Sequence, residues 1–271
     1  MSKAISGQTL VQAFEQWVPK RLAIQDDKIG LQIGTLDKPI HRIMVTLDVL
    51  ENVVDEAIEK DIDFIFAHHA VIFRPLKNMR TDRGQSKIVA KCIKNDITVY
   101  VAHTNLDQAD GGMNDWLADA IDLQDRAVMI PMNSGEGERY GLGRVGRLTE
   151  PMTLKALAEK VKNTFGLDGV RVVGNLDQKV KKVAVLGGDG NRFITQAKFS
   201  GADVLITGDI YYHTAHDAIL EGLSIIDAGH HIEKVMKQGV SVFFKRFLKE
   251  KGYDGTTVYL SEANTNPFQF I

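Results

Sequence analysis

The chain has 271 residues, 44% of them hydrophobic and 25% charged, with a formal net charge of −2. That length suffices for one large domain or two modest ones, and the near-neutral balance lacks the electrostatic footprint of a nucleic-acid-binding protein. The single cysteine, Cys92, excludes an intrachain disulfide and a zinc site built from thiolates, so any metal ligands must be His, Asp or Glu. The amino-terminal stretch carries Glu15 and no long apolar run, unlike a signal peptide. No apolar run approaches the roughly 18 residues that span a bilayer. The expected setting is the cytoplasm, with no membrane partner.

Leu10, Phe14, Trp17 and Val18 lie at helical spacing, and Pro19 stops the helix they predict. Asp26 to Gly34 is a glycine-bounded loop leading into an extended piece. Residues 43–47 read as a strand and 50–58 as a helix. The stretch from Phe64 to Phe73, FIFAHHAVIF, then gives a buried strand interrupted by His68 and His69. On a continuous strand neighbouring side chains point to opposite faces. The two histidines can therefore serve one cavity only if the chain leaves the strand there; otherwise each serves a different metal. A helix over 86–94 and a strand over 97–102 follow, and after a turn at Gly111-Gly112 a helix runs through Trp116 and Leu117. Residues 130–150 are rich in glycine and lack helical periodicity. They read as a crossing between two halves, with a short strand around 142–148. A helix over 154–165, a strand over 170–173, a long amphipathic helix over 232–248 and a final strand complete the chain. Strands alternating with helices predict an α/β fold with mixed, largely parallel sheets.

The chain also repeats itself. Residues 41–69 overlay 181–209 without a gap, strand on strand and helix on helix, and 97–103 overlay 223–229. Two related α/β halves formed by duplication would bring equivalent strand-end loops to a central cleft, where open α/β sheets bind ligands. We expect a first half over 1–128, a second over 129–228, and a carboxyl-terminal helix and strand, 229–271, that complete the site and pack on the first half.

Ligand-type residues concentrate in those loops: His68 and His69, His103 and Asp107, Asp209 and His213, His230 and Glu233. His230 and Glu233 are three apart at a helix start and share a face. Mixed imidazole and carboxylate donors suit zinc, iron, manganese or nickel better than calcium. There are more of them than one tetrahedral ion requires, and a metal pair sharing a carboxylate, Asp107 or Glu233, would use the surplus. Gly141 to Gly146 matches G-x-G-x-x-G literally, but no strand precedes it and no helix opens within it, so the dinucleotide context fails. Gly187-Gly188-Asp189-Gly190 sits between a strand and a helix, where backbone amides could cradle an anion or simply make a tight turn. Tyr211 and Tyr212 could stack a planar substrate or serve packing.

The segments FIFAHH, VYVAHTNLDQADGGMNDWLA, LITGDIYYHTAHDA and DAGHHIEKVM together resemble the NIF-three-like family, whose bacterial YbgI-like members carry the name GTP cyclohydrolase I type-two homologue. The resemblance runs from the first helix to NTNPF near the end. It implies two α/β halves, a dinuclear centre of two divalent metal ions per chain, and a toroidal homohexamer. The implied ligands are His68 and His69, Asp107, His230 and Glu233, while His103 and His213 match positions close to the metals. This chain has Lys28 where relatives often have asparagine, spaces its last pair as H-x-x-E where some have H-x-x-x-E, and lacks room for the extra domain that some carry.

Two functions follow. One is a metal-dependent hydrolase in which His103 or His213 acts as general acid or base, with a purine nucleotide such as GTP as the implied substrate. The alternative is a non-enzymatic metal-binding ring, either a regulatory adaptor or a metal chaperone.

Overall fold

A computed structural model describes residues 3–132 and 139–271. They form two compact units, 1–106 with 236–265 and 107–235 with 266–271.

The first unit is built on a five-stranded sheet, in the order Thr257–Leu260, Arg42–Thr46, Phe64–Ala67, Thr98–Val101, Gly30–Ile33. The first four strands are parallel and Gly30–Ile33 is antiparallel at the edge. Phe64–Ala67 lies at the centre with all four residues buried, as an uncharged aromatic and β-branched run demands. Its pleat divides the core. Phe66 meets Phe14 at 4.6 Å and Phe244 at 5.3 Å, from helices Gly7–Trp17 and Val235–Glu250. Ile65 and Ala67 face the other layer, with Val53, Val54 and Ala57 of helix Glu51–Glu59 and Val89 and Cys92 of helix Gly84–Lys94. Helix Gly7–Trp17 starts where Ser6 Oγ accepts the Thr9 N–H at 3.1 Å.

The second unit holds a six-stranded mixed sheet in the order Gln124–Pro131, Gly141–Thr153, Lys179–Asp189, Val204–Gly208, Ser224–Asp227, Arg171–Val173. Lys179–Asp189, Val204–Gly208 and Ser224–Asp227 are parallel and the other pairings antiparallel. Ala184, Leu205 and Ile225 pack against Ile194 and Ala197 of helix Ile194–Phe199 and Ala218 of helix Tyr212–Leu220. Helix Met113–Ala120 packs on strands Gly141–Thr153 and Lys179–Asp189.

The duplication is visible in the hydrogen bonding. Ile43 pairs with Phe64 and Phe64 with Thr98; in the second unit Val183 pairs with Val204 and Val204 with Ser224. Asp63 Oδ2 accepts the N–H groups of His41 and Arg42 at 2.7 and 2.8 Å, and Asp203 Oδ2 accepts those of Lys181 and Lys182 at 2.8 Å each. Arg42 Nη1 donates to the Lys60 carbonyl as Lys182 Nζ donates to that of Ser200. All these positions obey the two sequence offsets, so the halves share register as well as pattern.

Three details differ from the sequence expectation. The strand expected at 142–148 runs from Gly141 to Thr153 and pairs with Gln124–Pro131, a strand that the sequence pattern did not mark. Of the expected crossing, residues 133–138 lie outside the described residues. The literal glycine motif serves that strand pairing: a Cβ on Gly141 would stand 2.1 Å from the Ile130 carbonyl oxygen, and one on Gly146 2.6 Å from that of Gln124. The last long helix begins at Val235, because His230–Lys234 forms a 3₁₀ turn instead.

Candidate metal centre

In the first unit the chain leaves the central strand after Ala67. The N–H groups of His68 and His69 both reach the Leu47 carbonyl, at 3.2 and 2.9 Å. This break lets adjacent residues turn their rings to one side, with centroids 5.0 Å apart. His103, just beyond strand Thr98–Val101, brings its ring to 5.0 Å from His68 and 5.7 Å from His69. The three residues offer nitrogens that lie within 4.8 Å of one another, a group that could hold a metal ion.

In the second unit His230 and Glu233 occupy the 3₁₀ turn, where residues three apart eclipse. His230 Nε2 stands 3.1 Å from Glu233 Oε2, and Glu233 is 2% exposed. Asp107, on the short helix Thr104–Gln108, offers a carboxylate oxygen within 4.8 Å of one of Glu233. His213 lies exposed on helix Tyr212–Leu220 with its ring 5.4 Å from that of Tyr212. The ligand groups found among the described residues do not include it.

The imidazoles of these groups share one arrangement. Nδ1 of His68 faces the Ala102 carbonyl at 2.8 Å, that of His69 faces Asp48 Oδ1 at 2.6 Å, that of His103 faces Asp27 Oδ1 at 2.9 Å, and that of His230 faces Asp209 Oδ2 at 2.7 Å. An acceptor at Nδ1 fixes the tautomer with its proton there and leaves Nε2 as a lone-pair donor, which is how metal-binding histidines are held. In His230 that lone pair faces a carboxylate oxygen. Two acceptors at 3.1 Å call for a cation between them, a proton or a metal ion, so the residues fit a divalent metal. Asp48 and Asp27 escape a sequence reading because an aspartate just after a strand or in a loop looks like a turn residue. Burial opposes ionisation of Asp27, but hydrogen bonds from His103 and Thr104 outweigh it and hold the carboxyl well below the usual carboxylate range.

The glycine run is part of this second group. Gly187 N–H donates to Asn114 Oδ1 at 3.0 Å and Gly190 N–H to the Gly208 carbonyl at 3.3 Å. Those amides therefore bind within the chain rather than to an anion.

A sequence profile described as Duf34/NIF3 (NGG1p interacting factor 3) matches residues 5–267. A Bacillus subtilis protein named GTP cyclohydrolase 1 type 2 homolog is 39% identical over 374 aligned positions covering all of both chains. One of the same name from Streptococcus pneumoniae is 41% identical over 97% of this chain and 98% of its own. A crystal structure of a Bacillus cereus protein related to NIF3 superposes with a TM-score of 0.95 at 39% identity over the whole of both chains.

Proposed function

The chain belongs to the Duf34/NIF3 family, and from that membership and its own donor groups we propose that it is a cytoplasmic dinuclear metal-binding protein acting as a metal-dependent hydrolase. The observation that carries the reading is the shared orientation of His68, His69, His103 and His230, each with Nδ1 tied to an oxygen acceptor. Asp48, Asp27, Asp209 and the Ala102 carbonyl orient the rings, so that Nε2 would be the atom that donates to an ion.

His68, His69, Asp107, His230 and Glu233 would hold two divalent ions, of zinc, iron, manganese or nickel. Bound there, such a pair polarises an oxygen of the substrate and lowers the pKa of water towards ~7. His103, its Nδ1 held by Asp27, is suited to carry a proton to or from the reacting group. His213 is the second candidate for that role and, being exposed, would meet the substrate at its solvent side. The name of the curated relatives points to a purine nucleotide such as GTP as the first substrate to examine. We also propose a homohexameric ring as the working assembly.

The experiment is elemental analysis of protein purified without chelator, followed by turnover assays on GTP and a panel of phosphoesters. Two metals per chain, absent from a His68→Ala/Glu233→Ala double variant, together with hydrolysis lost in the same variant, are the expected results. Two metals without turnover would favour the adaptor reading, to which the family description as an interacting factor lends support. A chain that takes up no metal after reconstitution would sink the proposal.

A further inference from the structure

Asn114 is the second residue of helix Met113–Ala120 and is completely buried. A polar side chain near a helix start ordinarily caps it or faces water, and this one does neither. Its Nδ2 donates to the Asp107 carbonyl at 2.9 Å, and its Oδ1 accepts the Gly187 N–H at 3.0 Å. One partner, Asp107, is a candidate carboxylate ligand and the other, Gly187, lies against the second, Glu233. A Cβ on Gly187 would stand 2.8 Å from Glu233 Oε1, 3.1 Å from Glu233 Cγ and 3.2 Å from Leu117 Cδ1. Leu117 sits one turn along from Asn114 and crowds the same Cβ position of the glycine. The next residue, Gly188, has φ of +71° and leaves its own Cβ position 3.1 Å from Glu233 Oε1 and 3.5 Å from His230 Nε2.

From this we infer that Asn114 is a positioning residue for the metal-binding carboxylates. One amide group ties the backbone of Asp107 to the end of strand Lys179–Asp189, and the bare Cα of Gly187 then sets how far Glu233 extends. The inference rests on the metal-binding reading above. An asparagine offers a donor and an acceptor on one planar amide, so it fixes the spacing between its two partners. Leucine fills a similar volume with neither bond. Aspartate keeps the acceptor for Gly187 but turns a second acceptor on the Asp107 carbonyl. Gly187→Ala leaves Asn114 intact and displaces the nearest movable group, the Glu233 carboxylate.

The experiment measures zinc and manganese affinity by competition with a chromophoric chelator, on the full chain, for wild type, Asn114→Leu, Asn114→Asp and Gly187→Ala. Melting temperatures of the metal-free proteins are recorded alongside. Groups that orient metal ligands typically contribute 10–100-fold in affinity. We expect losses of that order in Asn114→Leu and Gly187→Ala and a loss in Asn114→Asp as well. The effects of Asn114→Leu and Gly187→Ala should also be less than additive in the double variant, because both act on Glu233. A merely structural asparagine would lower the metal-free melting temperature and leave the affinity of the folded protein within twofold of wild type, and that result overturns the inference. Should Asn114→Leu fail to fold, the other two variants decide it by the same criterion. Wild-type protein that binds neither metal would refute the metal-binding reading itself, and so is distinct from tight wild-type binding with unaffected variants.

Discussion

Asp48 lies outside the groups that, among the described residues, could hold a metal ion, yet its Oδ1 stands 2.6 Å from His69 Nδ1 and determines which ring nitrogen carries the proton. Asp209 does the same for His230 at 2.7 Å, from a backbone φ of +58° that a non-glycine residue adopts only where its surroundings hold it. In the overlay of the two halves Asp209 occupies the position of His69. The same position thus carries an imidazole in one half and, in the other, a carboxylate that holds an imidazole. Replacing Asp48 with alanine should leave the fold intact, since the side chain is part-exposed, and weaken metal binding by roughly 10–100-fold. Isothermal titration with zinc would measure this. An Asp48→Ala chain that binds as tightly as wild type would show that His69 is oriented by its neighbours alone. Cys92 offers the contrast: its thiol is buried in the aliphatic core, burial pushes its pKa up to about 11, and it serves packing alone.

At the scale of elements, one carboxylate of helix Glu51–Glu59 holds the segment that follows the last strand, Ser261 to Ala263. Glu56 accepts from Ser261 Oγ at 2.6 Å, from the Glu262 N–H at 2.9 Å, from the Ala263 N–H at 3.2 Å and from Lys60 Nζ at 2.8 Å. Burial disfavours the charged form, but these four donors outweigh it and lower its pKa. A folded-state pKa depressed below the unfolded value means that the contribution is fully present above the unfolded pKa of about 4.3 and is lost as pH falls through the folded one. Glu56→Gln should therefore cost about 1–3 kcal/mol at pH 7, and the gap to wild type should narrow towards pH 3. Urea denaturation at both pH values would measure it, and an equal gap at both would mean that the charge plays no part. The alternation of strands and helices and the internal repeat were legible in the sequence because short buried strands and an ungapped overlay leave little choice of alignment. Strand Gln124–Pro131 was not, because it begins Gln-Asp-Arg and lies at a sheet edge, where pairing comes from backbone groups that no side-chain pattern announces. His68, His69, His103, Asp107, Asp209, His213, His230 and Glu233 stood out as ligand-type residues at strand ends, and only the family resemblance singled out His68, His69, Asp107, His230 and Glu233 as ligands. Asn114 did not stand out, since a helical asparagine reads as solvated until its two hydrogen-bond partners are known.

For the molecule as a whole, a metal ion that binds the folded chain would couple binding to stability. The second unit gathers Asp107, His230 and Glu233, two of them carboxylates with oxygens within 4.8 Å of each other. Two such carboxylates, if both charged, would repel at a distance where the protein screens them poorly, a local cost that a bound cation would remove. An ion that binds only the folded chain stabilises it by RT ln(1 + [L]/Kd), about 2.7 kcal/mol at a hundredfold excess over Kd. For a chain of this length each kcal/mol corresponds to roughly 2–4 °C in melting temperature. Adding zinc or manganese to chelator-stripped protein should then raise the midpoint by about 5–10 °C, in proportion to the logarithm of metal concentration. His68→Ala/Glu233→Ala should lose the shift. Its metal-free midpoint should fall little or even rise, because the double change removes one of the two apposed carboxylates. Scanning calorimetry with and without chelator would decide it. Superimposable wild-type transitions under both conditions would mean that the four anchored imidazoles hold protons rather than metals.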